Sequence, residues 1–314
     1  MVKAEKQDLV AAMDLGTNSN RLLIADKKGK PVYRDVYHVA LGEGLAENGC
    51  FSETAMERAI CSFMNFSEMM AAYHVQKYRA IATAACRMSQ NTAAFVDEVK
   101  KSCGVNLEVI SEFEEARLTL LGARLNAPTD KKYLFVFDLG GGSTEITLAT
   151  NTEKPEILAT VSVPLGARNA TEIFDLTDYN AFGAERLEAD VKRYVNMFLD
   201  KIKDVDYKGN TALIATSSTP LRLASWLSHH EKYDKFAADG VCVSTKDLDK
   251  LIEQVLPMSE NERALSPYIG RNRAGIFVAA LIIFRTIYQG LGCKNLIASL
   301  KGAQEAIVAD LAKE

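Results

Sequence analysis

The sequence predicts an α/β protein made of two duplicated domains, each a mixed β-sheet flanked by helices, with a cleft between them. The prediction rests on two similar strand–loop–strand units, one near the start of the chain and one near its middle. In the central unit an apolar run beginning at Tyr133 ends at Asp138, and Ser143 follows three glycines. In the N-terminal unit Asp14 ends the strand, and Ser19 lies at the same five-residue spacing. Two copies of this pattern indicate duplicated domains that face a phosphate-binding cleft.

The length and the position of the two units predict the domain organisation. The 314 residues are enough chain for two domains. A polar, proline-containing stretch at 126–132 precedes the second unit and is typical of a connection between domains. We therefore expect an N-terminal domain over 1–126 and a C-terminal domain over 127–314, with the last helix as an element that can pack back on the first domain.

Composition and charge argue against several classes of partner. Hydrophobic residues make up 48% of the chain and charged residues 25%, which is typical of a globular protein. The net charge of −4 differs from that of general nucleic-acid-binding proteins, so no nucleic acid is expected. The longest apolar stretch, 276–284, lies between two arginines and is too short to span a bilayer, so no membrane partner is expected.

The N-terminus, the cysteines and the histidines predict a cytoplasmic protein without a histidine- or cysteine-based site. The first eight residues contain no apolar signal core. The six cysteines show neither close pairing nor metal-ligand spacing, which is typical of reduced cytoplasmic thiols. The four histidines fit no metal-binding or catalytic-triad pattern, and we expect surface or structural roles for them.

The central loop has the chemistry of a phosphate and metal site. Three consecutive glycines allow a sharp turn and bring backbone N–H groups close to a ligand, and such groups bind phosphate oxygens. Asp138 and Glu145 flank these glycines, and their carboxylates are hard oxygen ligands that suit Mg²⁺. An ordinary glycine-rich hairpin turn is the alternative, and the second copy of the unit favours the functional interpretation.

A single arginine stands out by its position. Arg87 follows a short buried strand predicted at 78–83. Open α/β sheets place ligand-binding groups beyond the carboxyl ends of their strands. Arg87 is therefore a candidate ligand-binding residue, and a plain surface arginine is the alternative.

A predicted helix over 111–124 carries three acids in its first turn, Glu112, Glu114 and Glu115. Ser111 and Glu114 have capping-box spacing, and acids in a first turn interact favourably with the helix dipole. These effects account for Glu112 and Glu114. Glu115 lies one residue past the box and is available for chemistry.

Together these motifs resemble those of the exopolyphosphatase/guanosine pentaphosphate phosphatase (Ppx/GppA) family, in a short form without the additional C-terminal helical domain of longer members. The resembling segments follow in the family's order over nearly the whole chain. They are Asp14-Leu-Gly-Thr-Asn-Ser-Asn-Arg-Leu22, Thr83-Ala-Ala-Cys-Arg87, Glu114-Glu115-Ala116-Arg117, Asp138-Leu-Gly-Gly-Gly-Ser-Thr-Glu145 and, more weakly, Arg273-Ala-Gly-Ile-Phe-Val-Ala-Ala-Leu281. The resemblance implies two ribonuclease-H-like domains of the actin-like ATPase fold.

The resemblance also implies the reaction, which is hydrolysis of a terminal phosphoanhydride by water. Glu115 would be the general base, and Asp138 and Glu145, with Asp14, would hold Mg²⁺ (or Mn²⁺) or would position the phosphate and the water. Arg273 would contact the more distant part of the substrate. The phosphoryl group would be held by Asn18, Ser19, Arg21, Arg87, Gly141, Gly142 and Ser143. Phosphoryl transfer requires this combination of positioning and charge neutralisation, and a carboxylate suits water activation.

The sequence departs from the family pattern at three places, all of which bear on substrate binding. Glu112 stands where the family usually has glycine. The glycine-rich turn of the second domain resembles the segment 215–219, which contains serines and an alanine. Near the C-terminus the family's Gly-Leu-Arg-Glu-Gly resembles 302–306, where Gln304 replaces the arginine.

Three functions follow as hypotheses. The first is a phosphohydrolase acting on inorganic polyphosphate, guanosine pentaphosphate or both. The second is an ATP-dependent kinase of the same fold, which the serines at 217 and 218 disfavour because such kinases use a glycine-rich adenosine-binding turn. The third is a non-catalytic sensor of a phosphorylated nucleotide. The expected partners are polyphosphate or a phosphorylated guanosine nucleotide, and assembly as a homodimer is left open.

Overall fold

A computed structural model describes residues 8–313 as two compact units. The first contains residues 8–111 and 303–313, and the second contains residues 112–302. Each unit has one mixed β-sheet flanked by helices. The predicted α/β class, with two such domains, is therefore confirmed.

Runs of strands and runs of helices follow one another along the described chain. The strands are β1 (Leu9–Leu15), β2 (Asn20–Asp26), β3 (Pro31–Tyr37), β4 (Lys77–Ala82), β5 (Leu107–Val109), β6 (Tyr133–Leu139), β7 (Thr144–Thr150), β8 (Ile157–Val163), β9 (Thr211–Thr216), β10 (Cys242–Ser244) and β11 (Asn295–Ser299). The α-helices are α1 (Leu45–Asn48), α2 (Glu53–Ala72), α3 (Ala84–Met88), α4 (Thr92–Cys103), α5 (Glu112–Ala123), α6 (Ala167–Phe174), α7 (Ala181–Lys201), α8 (Ser218–Leu227), α9 (Thr245–Val255), α10 (Glu260–Leu265), α11 (Arg271–Ala274), α12 (Phe277–Leu291) and α13 (Ala303–Leu311). A 3₁₀ turn, Arg124–Asn126, follows α5.

The first unit has the sheet order β3-β2-β1-β4-β5 within the described residues. The β1–β2–β3 meander is antiparallel, whereas β4 and β5 continue the sheet in parallel from β1. Helix α2 buries the apolar residues that recur at helical spacing along one face, and Ser52 caps its N-terminus by accepting from the N–H of Ala55 at 3.2 Å.

Helix α13 belongs to the first unit although it ends the described chain. The side-chain amide of Gln304 is buried and donates to the carbonyl of Ala12 at 3.0 Å, and Glu305 pairs with Arg34 at 2.5 Å. The glutamine at the family's arginine position thus anchors this helix to β1.

The second unit has the sheet order β10-β11-β9-β6-β7-β8 within the described residues. Strands β6, β7 and β8 form an antiparallel meander, and β9 and β11 extend it in parallel from β6. Helices α7 and α12 cover one face with a large apolar core, and α5 covers the other with a smaller one.

The division between the units lies before α5, whereas the sequence suggested a boundary at 126. Leu120 and Ala123 of α5 pack against Val136 and Ile214 of the second sheet, so the helix belongs to that unit. Asn126 is also tied to the second unit, because its side-chain amide donates to Ser299 Oγ at 3.0 Å.

Helix α6 was not predicted from the sequence. Its N-cap is Gly166, a residue without a capping side chain, and the helix has only eight residues. The cap is instead completed by Asn169, whose side-chain oxygen accepts from the N–H of Gly166 at 2.7 Å. A start signal of this kind is weak in a sequence.

Across the described residues, no helix has the length and apolar character needed to cross a bilayer.

Candidate active site

The two predicted loops have the same backbone geometry. In the first unit the N–H of Gly16 donates to Ser19 O at 2.9 Å, and in the second the N–H of Gly140 donates to Ser143 O at 3.0 Å. In each hairpin the aspartate at the strand end stands opposite a charged residue, Arg21 in the first and Glu145 in the second. The equal spacing seen in the sequence therefore reflects a duplicated hairpin.

In each unit, a glycine that follows the third strand packs closely against the loop. A Cβ added to Gly42 would lie 2.2 Å from Thr17 Cγ2. A Cβ added to Gly166 would lie 2.5 Å from the carbonyl carbon of Gly141 and 2.6 Å from the nitrogen of Gly142. Gly166 needs glycine because a side chain there would meet backbone atoms, whereas at Gly42 the nearest atom is the side-chain methyl of Thr17.

The N-terminus of α6 fixes the orientation of the central glycine loop. The N–H groups of Ala167 and Arg168 donate to the carbonyls of Gly140 and Gly141 at 2.9 and 2.8 Å. The buried amide of Asn169 adds a bond to Gly142 O at 2.9 Å. Because the loop's carbonyls are bound on the α6 side, its N–H groups can present a donor surface to an anion.

The first hairpin contains an ion pair, and small polar side chains lie beside it. Arg21 Nη1 contacts Asp14 Oδ2 at 3.0 Å, and Asn18 and Ser19 are buried in the loop between them. Ser19 Oγ lies 3.1 Å from Nδ1 of His38. His38 was not singled out from the sequence, and this contact places it beside the predicted phosphate-binding loop.

Arg87 lies at the end of strand β4, as predicted, in the short helix α3. Its Nη1 donates to the carbonyl of Ile110 at 3.1 Å, which holds the guanidinium beside the chain leading to α5. The neighbouring Cys86 is buried, and this burial raises the pKa of its thiol to about 12 although Arg87 acts in the opposite direction. A protonated thiol is a poor nucleophile, so Cys86 is unsuited to covalent catalysis.

A row of polar side chains crosses five strands of the second sheet. Ser299, Thr216, Asp138, Glu145 and Ser162 are successive register partners on β11, β9, β6, β7 and β8. Residues directly opposite each other share one face of a sheet. We call these five residues the polar row.

The polar row lies on the sheet face that α5 covers. Val136 and Ile214, two positions before Asp138 and Thr216, pack against α5, and side chains two apart share a face. The side chains on this face of the sheet therefore change from apolar to polar at the carboxyl ends of β6 and β9. This is the sheet edge at which ligands bind in open α/β folds.

Helix α5, which covers this face, carries Glu115 in its first turn. Ala123 packs on the sheet, and Thr119 and Glu115 precede it at successive four-residue spacings, which displace Glu115 by about 80° around the helix from Ala123. Glu115 is only 9% exposed, although it lies in the first turn. The predicted base is therefore a buried acid of the helix that covers the sheet face of the polar row.

The other two acids of this helix differ from Glu115 in their surroundings. Glu112 is exposed. The carboxylate of Glu114 accepts from Arg117 Nε and Nη2 at 2.7 and 3.0 Å. Only Glu115 of the three is buried, which agrees with the sequence argument that separated it from its neighbours.

Glu145 is held more firmly than the sequence indicates. It is 3% exposed, and its Oε1 accepts hydrogen bonds from Ser143 Oγ at 2.6 Å and Ser162 Oγ at 3.1 Å. Hydroxyl donors to a carboxylate stabilise its charge and fix its orientation.

Thr216 lies beside Asp138, and its hydroxyl group is buried. It is 3% exposed, and no group in the described part of the chain forms a hydrogen bond with its Oγ1. A buried polar group without a partner typically costs about 1–3 kcal/mol. A water molecule or a ligand atom at this position would remove that cost.

The next residue, Ser217, has φ 92° and ψ −177°, a conformation that favours glycine. Ser217 therefore adopts a backbone conformation that favours glycine, although it is a serine.

Arg273 lies in the second unit, in helix α11. It is half-buried, and its N–H donates to Gly270 O at 3.1 Å.

The carboxylates of the second hairpin suit a divalent cation. Asp138 and Glu145 stand directly opposite each other, an arrangement in which like charges repel and a cation offsets the repulsion. Within residues 8–313, no three His, Cys, Asp or Glu side chains form a group that could hold a metal ion by themselves. Mg²⁺ is commonly held by one or two carboxylates, with water and substrate phosphates completing its shell, and two carboxylates meet this requirement. A third ligand from Asp14, which pairs with Arg21, stays a prediction.

Sequence reasoning did not single out Ser162 and Asn169, and it named Thr216 only as part of the 215–219 turn. Their roles depend on cross-strand register or on contact with the glycine loop, neither of which leaves a local motif. The only available signal was the polar residue at the end of each otherwise apolar strand.

Known proteins match the chain over most of its length. A profile of the Ppx/GppA phosphatase family matches residues 23–314. Exopolyphosphatase 2 of Mycobacterium tuberculosis is 28% identical over 328 residues, with 96% of this chain and 98% of that protein covered.

A second relative is much longer than this chain. The bifunctional 3-dehydroquinate synthase/phosphatase of Fusobacterium nucleatum is 29% identical over 312 residues, which cover 95% of this chain and 46% of the relative. The chain thus spans about half of that protein.

Among solved structures, an exopolyphosphatase-like protein superposes with a TM-score of 0.88 at 25% identity, covering 97% of this chain and 99% of the other.

Proposed function

Because the chain belongs to the Ppx/GppA phosphatase family, we propose that it is a phosphohydrolase that releases terminal orthophosphate from a phosphoanhydride. Inorganic polyphosphate is the proposed substrate, and guanosine pentaphosphate is the second candidate. The observation that carries the proposal is a buried acid, Glu115, in the helix that covers the sheet face of the polar row. Attack of water on a phosphoryl group requires a general base, and it requires groups that position the phosphate and neutralise its charge. Glu115, the two carboxylates and the glycine loop are candidates for these tasks.

In the proposed reaction Glu115 accepts a proton from water as the water oxygen attacks the terminal phosphorus. The bond from that phosphorus to its bridging oxygen breaks, and orthophosphate and the shortened substrate leave. The loop N–H groups of Gly141 and Gly142 and the hydroxyl of Ser143 bind the phosphoryl oxygens. Their carbonyl side is fixed by α6, so the donors are oriented before the substrate binds.

Asp138 and Glu145 would hold Mg²⁺ or Mn²⁺ at the same loop. A bound divalent cation neutralises phosphate charge and orients the water and the substrate. The residues of the first unit, Asn18, Ser19, Arg21 and Arg87, are proposed to bind the transferred phosphoryl group. Arg273 is proposed to contact a more distant phosphate.

A phosphate-release panel tests the proposal. Long polyphosphate, tripolyphosphate, guanosine pentaphosphate and ATP are compared with Mg²⁺, with Mn²⁺ and with a chelator in place of the metal. We expect release from long polyphosphate with either metal and a loss of at least about tenfold with the chelator, because the carboxylates alone would repel the substrate.

The alternatives give different results in the same panel. A kinase would transfer phosphate from ATP to a sugar or acid and would release little orthophosphate. A sensor would bind guanosine pentaphosphate or polyphosphate tightly and release none. Either result would contradict the proposed hydrolysis.

Glu112 is expected to weaken the binding of long polyphosphate. Its exposed carboxylate is in the first turn of α5, where a helix N-terminus otherwise attracts anions. Glu112→Gly should lower the apparent KM for long polyphosphate about tenfold at low salt, with little change in kcat. The effect should shrink at high salt, because exposed charges are screened.

The control for this variant is Glu153→Gly. It also removes an exposed carboxylate, but from the loop at the far end of the β7–β8 hairpin, away from the polar row. An equal response of both variants would mean that overall charge is responsible. An unchanged KM in Glu112→Gly alone would mean that Glu112 only stabilises the helix.

A further inference from the structure

Two serine hydroxyls from different parts of the chain donate hydrogen bonds to the same oxygen of Glu145. Ser143 belongs to the glycine loop, whereas Ser162 belongs to strand β8 and is the register partner of Glu145. Ser143 Oγ donates to Glu145 Oε1 at 2.6 Å, and Ser162 Oγ donates to the same atom at 3.1 Å. The carboxylate is therefore linked both to the loop and to the neighbouring strand.

The two donors differ in how firmly they are supported. Ser143 belongs to the loop that is proposed to bind the phosphoryl group, and a serine hydroxyl has a single proton to donate. When that proton goes to a phosphoryl oxygen, Ser143 no longer donates to Glu145. Ser162 is held in an antiparallel ladder that fixes its Cα opposite Glu145, so it remains as the donor to this carboxylate.

We propose that Ser162 is a positioning residue, which orients the Glu145 carboxylate for binding a divalent cation. The inference rests on the proposed function only in assigning a cation to Glu145. Residues that hydrogen-bond to a ligating carboxylate orient it, and their loss typically reduces metal affinity about 10–100-fold. Ser162 itself touches neither the cation nor the phosphate in this assignment.

The same strand offers a matched comparison. Thr160 is two residues before Ser162, on the same face, and its Oγ1 lies 3.0 Å from Oγ1 of its register partner Thr147. This pair repeats the cross-strand hydroxyl contact without a carboxylate. Thr160→Val therefore removes a hydroxyl from the same strand and leaves Glu145 with both of its donors.

The experiment measures Mn²⁺ binding directly, from the electron paramagnetic resonance signal of free Mn²⁺, with and without inorganic phosphate. Ser162→Ala should raise the Kd for Mn²⁺ at least about tenfold. Ser162→Thr, which retains a hydroxyl, should stay within about threefold of the wild type, as should Thr160→Val. Thermal unfolding of each variant monitors the fold.

In parallel, phosphate release is titrated with the metal. Ser162→Ala should need about tenfold more Mn²⁺ for half-maximal rate, and its kcat at saturating metal should change much less. A purely structural serine would lower thermal stability and leave the Kd for Mn²⁺ unchanged. That result would overturn the proposal, as would a wild-type protein that binds no Mn²⁺ in either condition.

Failure of the proposed function gives a different result. If the wild type releases no phosphate from any substrate, the hydrolase proposal fails. The difference in Mn²⁺ affinity between the wild type and Ser162→Ala remains measurable in that case and still supports or overturns the role of Ser162.

Discussion

Glu115→Gln is expected to lower kcat for phosphate release by about 10²–10⁴-fold while substrate binding is retained. The change keeps the volume of the side chain and removes the group that accepts the proton from water. Glu115 is the buried acid of the first turn of α5, the helix that covers the sheet face of the polar row. A neutral amide there would also reduce the negative charge near the phosphates, so substrate affinity should be equal or slightly higher.

Steady-state phosphate release gives kcat, and binding of polyphosphate to the inactive variant gives affinity. Glu114→Gln is the control, because it makes the same change at the adjacent position, where the carboxylate binds Arg117. The control should stay within about threefold of the wild type, since a partly exposed ion pair contributes little. If Glu115→Gln keeps more than half of the wild-type rate, Glu115 is not the base.

The duplicated hairpins could be predicted because their signals are local. An apolar strand, an aspartate and a glycine- or serine-containing loop are contiguous in the chain, and the structure places both aspartates at equivalent register positions. The capping-box spacing separated Glu115 from Glu112 and Glu114, but its burial is a finding of the structure.

The part played by Ser162 could not be read from the sequence. The β7–β8 ladder shifts register between Leu148 and Ala149, so the two-residue alternation of β8 changes face near its start. Counting from Ile157 would place Ser162 on the wrong face of the sheet. The register also depends on pairing with a distant strand, which no local pattern reports.

The boundary between the units also could not be predicted from local sequence patterns. The pattern of α5 indicates that one helix face is buried, but it does not indicate which sheet covers that face. In the structure Leu120 and Ala123 pack on the second sheet, so the helix that carries Glu115 lies in the same unit as Asp138. A boundary drawn by linker composition alone separated these two residues.

Gly166→Ala is expected to lower kcat/KM for phosphate release about 10²-fold and to destabilise the second unit by about 1–3 kcal/mol. The added Cβ would lie 2.5 Å from the carbonyl carbon of Gly141 and 2.6 Å from the nitrogen of Gly142. Both are backbone atoms, so the contact cannot be relieved by rotating a side chain. The glycine loop or the N-terminus of α6 must move, and the bonds from Ala167 and Arg168 to the loop carbonyls would be strained.

Thermal unfolding and phosphate release measure the two effects separately. Gly302→Ala is the control for the loss of a glycine, because its Cβ would meet no atom within 4 Å. Gly42→Ala extends the test to the first hairpin, where the nearest obstacle is the Cγ2 of Thr17, a side-chain methyl that can rotate. We therefore expect Gly42→Ala to cost less than Gly166→Ala. Wild-type activity in Gly166→Ala would mean that the close contact behind the loop does not hold the phosphate-binding geometry, since a displacement of about 1 Å in positioned groups is enough to reduce the rate.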